Sequence, residues 1–105
     1  MFRGSLDTII LKMLNNNSEM YGYEISQEVR KLSDGAFEVK EGALYPALHR
    51  LEAKGLLETE SRSIGNRIRK YYRLSPKGNK ESKTQISEMQ EFLKQMNAFM
   101  NLKAT

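Results

Sequence analysis

A mainly helical fold with one small β-hairpin is what this 105-residue sequence predicts. Three observations carry that expectation: three successive apolar patterns of helical period, a β-rich hairpin after the third, and a long apolar seam near the C-terminal end. Leu6, Ile9, Ile10, Met13 and Leu14 fall at i, i+3, i+4, i+7 and i+8, the inner face of an amphipathic helix, with Ser5 as its expected N-cap and Asp7 in its first turn. Asn15-Asn16-Asn17 ends it, because asparagine side chains compete for backbone hydrogen bonds and tolerate turns. Tyr21, Ile25, Val29 and Leu32 mark a second helix that stops at Ser33-Asp34-Gly35, and the alternation in Phe37-Glu38-Val39-Lys40 reads as a short strand.

Glu41 to Lys54 sets Leu44, Leu48 and Leu51 at i, i+4 and i+7, and Gly55 supplies the C-terminal stop of a third helix. Pro46 fits if that helix begins near Gly42 or Ala43, since the first four N–H groups of a helix have no internal partner. Leu56–Arg62 and Arg67–Leu74 read as strands joined through Ser63-Ile64-Gly65-Asn66. Ser75-Pro76, an N-cap followed by proline at the first helical position, opens a final helix expected to run to Leu102. Three helices and then a hairpin is the order of a winged helix-turn-helix, here over residues 1–75, with residues 76–105 as an added C-terminal dimerisation helix.

Composition limits what such a fold is expected to do. The length suits one domain with one accessory element. With 39% apolar and 29% charged residues and no apolar run near the ~18 residues that cross a bilayer, no membrane role is expected. The stretch from Met1 to Asp7 lacks the long apolar region of a secretory signal, and the absence of cysteine suits a cytoplasmic protein. One histidine, two aspartates and no glycine-rich phosphate loop leave neither a catalytic triad nor a histidine-rich metal site, so no enzyme activity, cofactor or metal is expected.

Charge is distributed unevenly. Residues 1–60 carry 7 Lys/Arg and 10 Asp/Glu, whereas residues 61–105 carry 10 and 3. The densest basic run, Arg62, Arg67, Arg69, Lys70 and Arg73, contains no acidic residue and would draw a polyanion. Strand alternation puts Arg67, Arg69, Tyr71 and Arg73 on one face, with Arg73 in reach of Glu58 or Glu60. Beside a helix-turn-helix this hairpin is a candidate wing, with Arg67, Arg69 and Lys70 as DNA contacts, although a solvated sheet face carries the same pattern. The third helix is the candidate recognition helix. Its core leucines leave Ala43, Tyr45, Pro46, His49 and Arg50 on the other side, for the major groove of double-stranded DNA or simply for solvent.

The last helix places Ile86, Met89, Leu93, Met96 and Met100 at spacings of 3, 4, 3 and 4, widened by Phe92 and Phe99. A second copy of the chain is the simplest partner for that seam, and a two-fold homodimer implies a roughly palindromic operator. Its Met and Phe side chains also leave room for a small apolar or aromatic effector.

Tyr21-Gly22-Tyr23-Glu24-Ile25, the segment Gly42-Ala43-Leu44-Tyr45-Pro46-Ala47-Leu48-His49-Arg50-Leu51-Glu52, and Lys70-Tyr71-Tyr72-Arg73-Leu74-Ser75 with Lys77-Gly78 closely resemble the PadR family of bacterial transcriptional regulators. The resemblance spans essentially the whole chain, whose length is similar to the short subfamily with a single C-terminal helix. It implies a homodimer joined through the last helix, repression of a nearby promoter, and release by a small effector in some members. It further implies DNA contacts from Tyr21, from the third helix around Tyr45, Pro46 and His49, and from the wing. Some short-subfamily members hold flat aromatic drugs with a tryptophan, which this chain lacks. A winged helix that uses the same surface for a protein partner is the main rival, and a dimer that only sequesters a ligand is a third reading.

Overall fold

The computed structural model describes residues 3–103; residues 1, 2, 104 and 105, the outer ends of the two expected segments, lie outside the described residues. In chain order the elements are α1 (Arg3–Asn16), β1 (Met20–Tyr21), α2 (Gly22–Leu32), α3 (Glu41–Ala53), β2 (Leu57–Ile64), β3 (Arg67–Leu74) and α4 (Pro76–Met100). The strands form one antiparallel sheet in the order β1-β3-β2, and the whole is a winged helix-turn-helix with one long helix added, as the order of elements predicts.

Ile10, Leu11 and Leu14 of α1, Ile25 and Val29 of α2, and Leu44, Ala47, Leu48 and Leu51 of α3 form the core, closed from below by Leu56 in the bend after α3 and by Leu57 and Tyr72 of the hairpin. The leucine spacing of α3 thus marks its buried face. Leu32, expected on the inner face of α2, is exposed because the helix runs past the core in its last turn.

Several local expectations are corrected. Helix α1 begins at Arg3, so Ser5 is no N-cap and Asp7 lies beyond the first turn. Residues 37–40 form no strand, because no neighbouring chain offers a ladder; the Phe37 N–H donates instead to Ser33 Oγ, and only Val39 reaches the core. Helix α3 starts at Glu41, which makes Pro46 its sixth residue, inside the helix rather than at its start. The second strand is offset from Leu56–Arg62 to Leu57–Ile64, which shortens the connection to Gly65-Asn66, and α4 ends at Met100 rather than Leu102.

The start of α4 is fastened to the bend between α3 and β2. Ser75 Oγ accepts from the Gly78 N–H at 2.9 Å, the N-cap bond the sequence predicts, and donates to the Gly55 carbonyl. The Ser75 N–H donates to the Leu56 carbonyl at 3.0 Å, and Lys77 Nζ reaches the Lys54 carbonyl. Gly78 lies so close that a Cβ there would stand 1.8 Å from the Leu56 carbonyl oxygen, which accounts for glycine at this position. Farther along, Asn15 Nδ2 donates to Ser82 Oγ and Thr8 Oγ1 to Gln85 Oε1, joining α1 to α4. Past Gln90 every described residue of α4 is exposed. The radius of gyration is 15.7 Å, above the ~13 Å of a compact chain of about this length, because that end projects.

Candidate nucleic-acid interface

Helix α3 presents Ala43, Tyr45, Pro46 and His49 on its exposed side, and Arg50 at its edge. Of the five residues the sequence places away from the leucine face, these four are exposed and Arg50 is half-buried. Tyr45 lies across the start of α2: a Cβ on Gly22 would come within 2.6 Å of the Tyr45 hydroxyl, so Gly22 is what lets this ring settle between the two helices. Arg50 has a different setting. Its Nη2 pairs with Asp7 Oδ1 at 2.9 Å, tying α3 to α1 across 43 residues of sequence.

The short strand β1, which the sequence does not announce, brings Tyr21 beside the wing. Met20 pairs with Tyr72 and Tyr21 with Tyr71, and Glu24 accepts the Tyr21 N–H, so Tyr21 ends the strand and starts α2 at once. The Tyr21 and Tyr71 rings meet edge to face at 5.6 Å between centroids. The Arg69 guanidinium lies 4.4 Å over Tyr21, and that of Arg62 lies 4.3 Å over Tyr71. Each such cation–ring contact contributes about 0.5–1 kcal/mol at an exposed site. Together they fix two arginines that face one another across the β2–β3 ladder.

The wing, acid-free as a stretch of sequence, is not acid-free in space. Arg62 makes a two-pronged pair with Glu19, Nη1 to Oε1 at 2.7 Å and Nη2 to Oε2 at 2.6 Å, and its Nε donates to Glu60 at 2.6 Å. Arg73 pairs with both Glu58 and Glu60, and Lys70 stands 3.5 Å from Glu52. The hydrogen bond from Arg62, with its charge, holds the Glu60 carboxyl below the ordinary carboxylate range. On the inner face of the sheet, burial and then the charge of Glu52 push the Tyr72 phenol above its ordinary value, so it stays neutral under the hairpin. Arg67 and Arg69 have no carboxylate within ion-pair distance among the described residues. Sequence reasoning missed Asp7 and Glu19 as partners, because each lies 43 residues from its arginine.

The seam on α4 divides along its length. Ile86 and Met89 are half-buried against α1, whereas Phe92, Leu93, Met96, Phe99 and Met100 are exposed. Between α1 and α4 runs a groove of about 380 Å³, lined by Ile9, Met13, Phe37, Ile86, Met89 and Leu93 among others. No described helix is long and apolar enough to cross a membrane.

Comparison with known proteins bears on this geometry. The sequence profile of the Transcriptional regulator PadR-like family matches residues 10–84. The chain is similar to a transcriptional regulator from Clostridium thermocellum of known structure, at 38% identity and a TM-score of 0.82, over 92% of this chain and 91% of that one. It is also similar to a PadR family transcription regulator from Clostridium difficile, at 33% identity and a TM-score of 0.79, over 93% of this chain and 100% of that one. A transcriptional regulator of Mycobacterium tuberculosis is 45% identical over 62 residues, 59% of this chain and 55% of that protein.

Proposed function

Because this chain belongs to the PadR-like family of transcriptional regulators, we propose that it acts as a cytoplasmic repressor that binds a roughly palindromic operator as a homodimer and catalyses no reaction. Residues 1–75 supply the DNA-binding domain, and the helix from residue 76 onward supplies the dimer. The observation that carries the DNA reading is the pair of wing arginines, Arg67 and Arg69, left without carboxylate partners among the described residues on the hairpin that follows α3. Tyr21 is stacked beneath Arg69 and belongs to the same surface.

In this reading Ala43, Tyr45, Pro46 and His49 meet the major groove, while Arg67, Arg69 and Tyr21 take the backbone alongside it. Lys70 joins them by exchanging its long, exposed pair with Glu52 for a phosphate, a trade that costs little because such pairs contribute little. Arg50, the remaining candidate on α3, acts from the protein side, holding the helix against Asp7. The homodimer reading is supported by the exposed run from Phe92 to Met100, which a second α4 would cover. A small apolar or aromatic effector suits the groove between α1 and α4, whose volume falls within the range of ligand pockets.

Selection of bound duplexes from a random pool, followed by titration of the winner at several salt concentrations, tests the proposal. A palindromic motif with a steep salt slope supports it, whereas weak, sequence-blind binding transfers the surface to a protein partner. Arg67→Ala and Arg69→Ala are expected to weaken binding to all duplexes alike, each flattening the salt slope by about 0.9 per protomer. Lost discrimination at undiminished non-specific affinity would instead make them base-reading residues.

A further inference from the structure

Arg62 and Arg69 are direct partners across the β2–β3 ladder, an arrangement in which like charges repel. The wing resolves this by giving Arg62 to the protein. Glu19 takes its Nη1 and Nη2, Glu60 takes its Nε, and Tyr71 covers one flat face of the guanidinium. A phosphate binds arginine through two parallel N–H groups. Both edges of Arg62 that offer such a pair include a nitrogen already bonded to a carboxylate, and Glu19 itself would repel an approaching phosphate.

We infer, resting on the reading of the wing as a phosphate-contacting element, that Glu19 withholds Arg62 from DNA and so limits sequence-blind affinity. The wing then offers to the backbone Arg67 and Arg69, without carboxylate partners among the described residues, and Lys70 by exchange, rather than all five of its cations. Fewer phosphate contacts lower binding to every sequence, which leaves the regulator less tightly held on the large excess of non-specific sites. Glu19 suits the role because it arrives from the connection between α1 and β1, outside the hairpin, and its geometry is two-pronged rather than a chance surface approach.

The test titrates the full chain, as wild type, Glu19→Gln, Arg62→Gln and the double variant, against a mixed-sequence duplex and the selected operator at several salt concentrations. Circular dichroism melting checks that each variant is folded. Glu19→Gln is expected to steepen the salt slope by about 0.9 per protomer and to raise affinity for the mixed-sequence duplex and the operator alike, roughly tenfold for a dimer. Arg62→Gln alone should leave the slope as in wild type, and the double variant should return to it. The inference is overturned if folded Glu19→Gln keeps the wild-type slope, or if Arg62→Gln alone flattens it, since Arg62 would then already reach phosphate. A wild-type chain without measurable DNA affinity at low salt would remove the underlying reading, and this inference with it.

Discussion

From Pro76 to Gln90, helix α4 is fastened to the rest of the chain by backbone, hydroxyl and amide contacts, whereas from Glu91 to Met100 the same helix is exposed at every residue. The apolar seam does not register the change: Ile86 and Met89 continue into Leu93, Met96 and Met100 without a break in spacing. A periodic pattern therefore states that a face needs covering and leaves open what covers it. In the first half α1 does so. In the second half no described residue of the chain does, and a helical stretch of that length is marginal in water by itself.

The strongest way to break the anchored half is Gly78→Ala. The added methyl would meet the Leu56 carbonyl at 1.8 Å, and neither group is the movable end of a side chain. The helix start must lift from the bend between α3 and β2, losing the Ser75 bonds to Leu56 and Gly55. A destabilisation of about 3 kcal/mol or more is expected, lowering the melting temperature by more than about 10 °C. Melting by circular dichroism reads it, and an unchanged midpoint would mean that α4 slides freely along its axis.

The two halves also differ in how far the sequence discloses them. Local signals are plain: leucines at helical spacing place the buried face of α3, and Ser75-Pro76 places the start of α4 to the residue. Short or distant signals are not. Strand β1 is two residues long and has no periodicity of its own; it exists because Met20 and Tyr21 meet Tyr72 and Tyr71. The alternation in residues 37–40 is equally short, and there no neighbouring strand turns it into a ladder. At the candidate interface the exposed side of α3 and the cations of the wing were legible, but which cations are spoken for was not. Asp7 and Glu19 are distant in sequence, and the charge of a segment says nothing about carboxylates that the fold delivers to it.

Leu93→Asp addresses the projecting half. Leu93 is 57% exposed on the single chain, so the substitution should leave subunit folding nearly intact. In a dimer joined by this seam it buries a carboxylate without a partner. Sedimentation should then show a species of half the mass, with helical content retained. Operator affinity should fall by roughly a hundredfold or more, because the two half-sites are no longer bound by linked domains. A dimer that survives would place the interface elsewhere, and the contrast between the halves would lose its meaning.

Ser75→Ala makes the smallest change and separates two explanations of the anchored half. If α4 is held mainly by close backbone packing at Gly78, losing the hydroxyl removes one N-cap bond and one bond to Gly55 while the Ser75 N–H still reaches Leu56. A loss of about 1–2 kcal/mol follows, within the range of a single cap, and the dimer should persist. If the hydroxyl instead organises the junction, the loss should approach that of Gly78→Ala, and the salt slope on DNA should flatten as well, because α3 ends at the same bend. Melting and salt titration of the same variant distinguish these outcomes. The geometry favours the first, since the Leu56 carbonyl accepts from a backbone N–H that alanine retains.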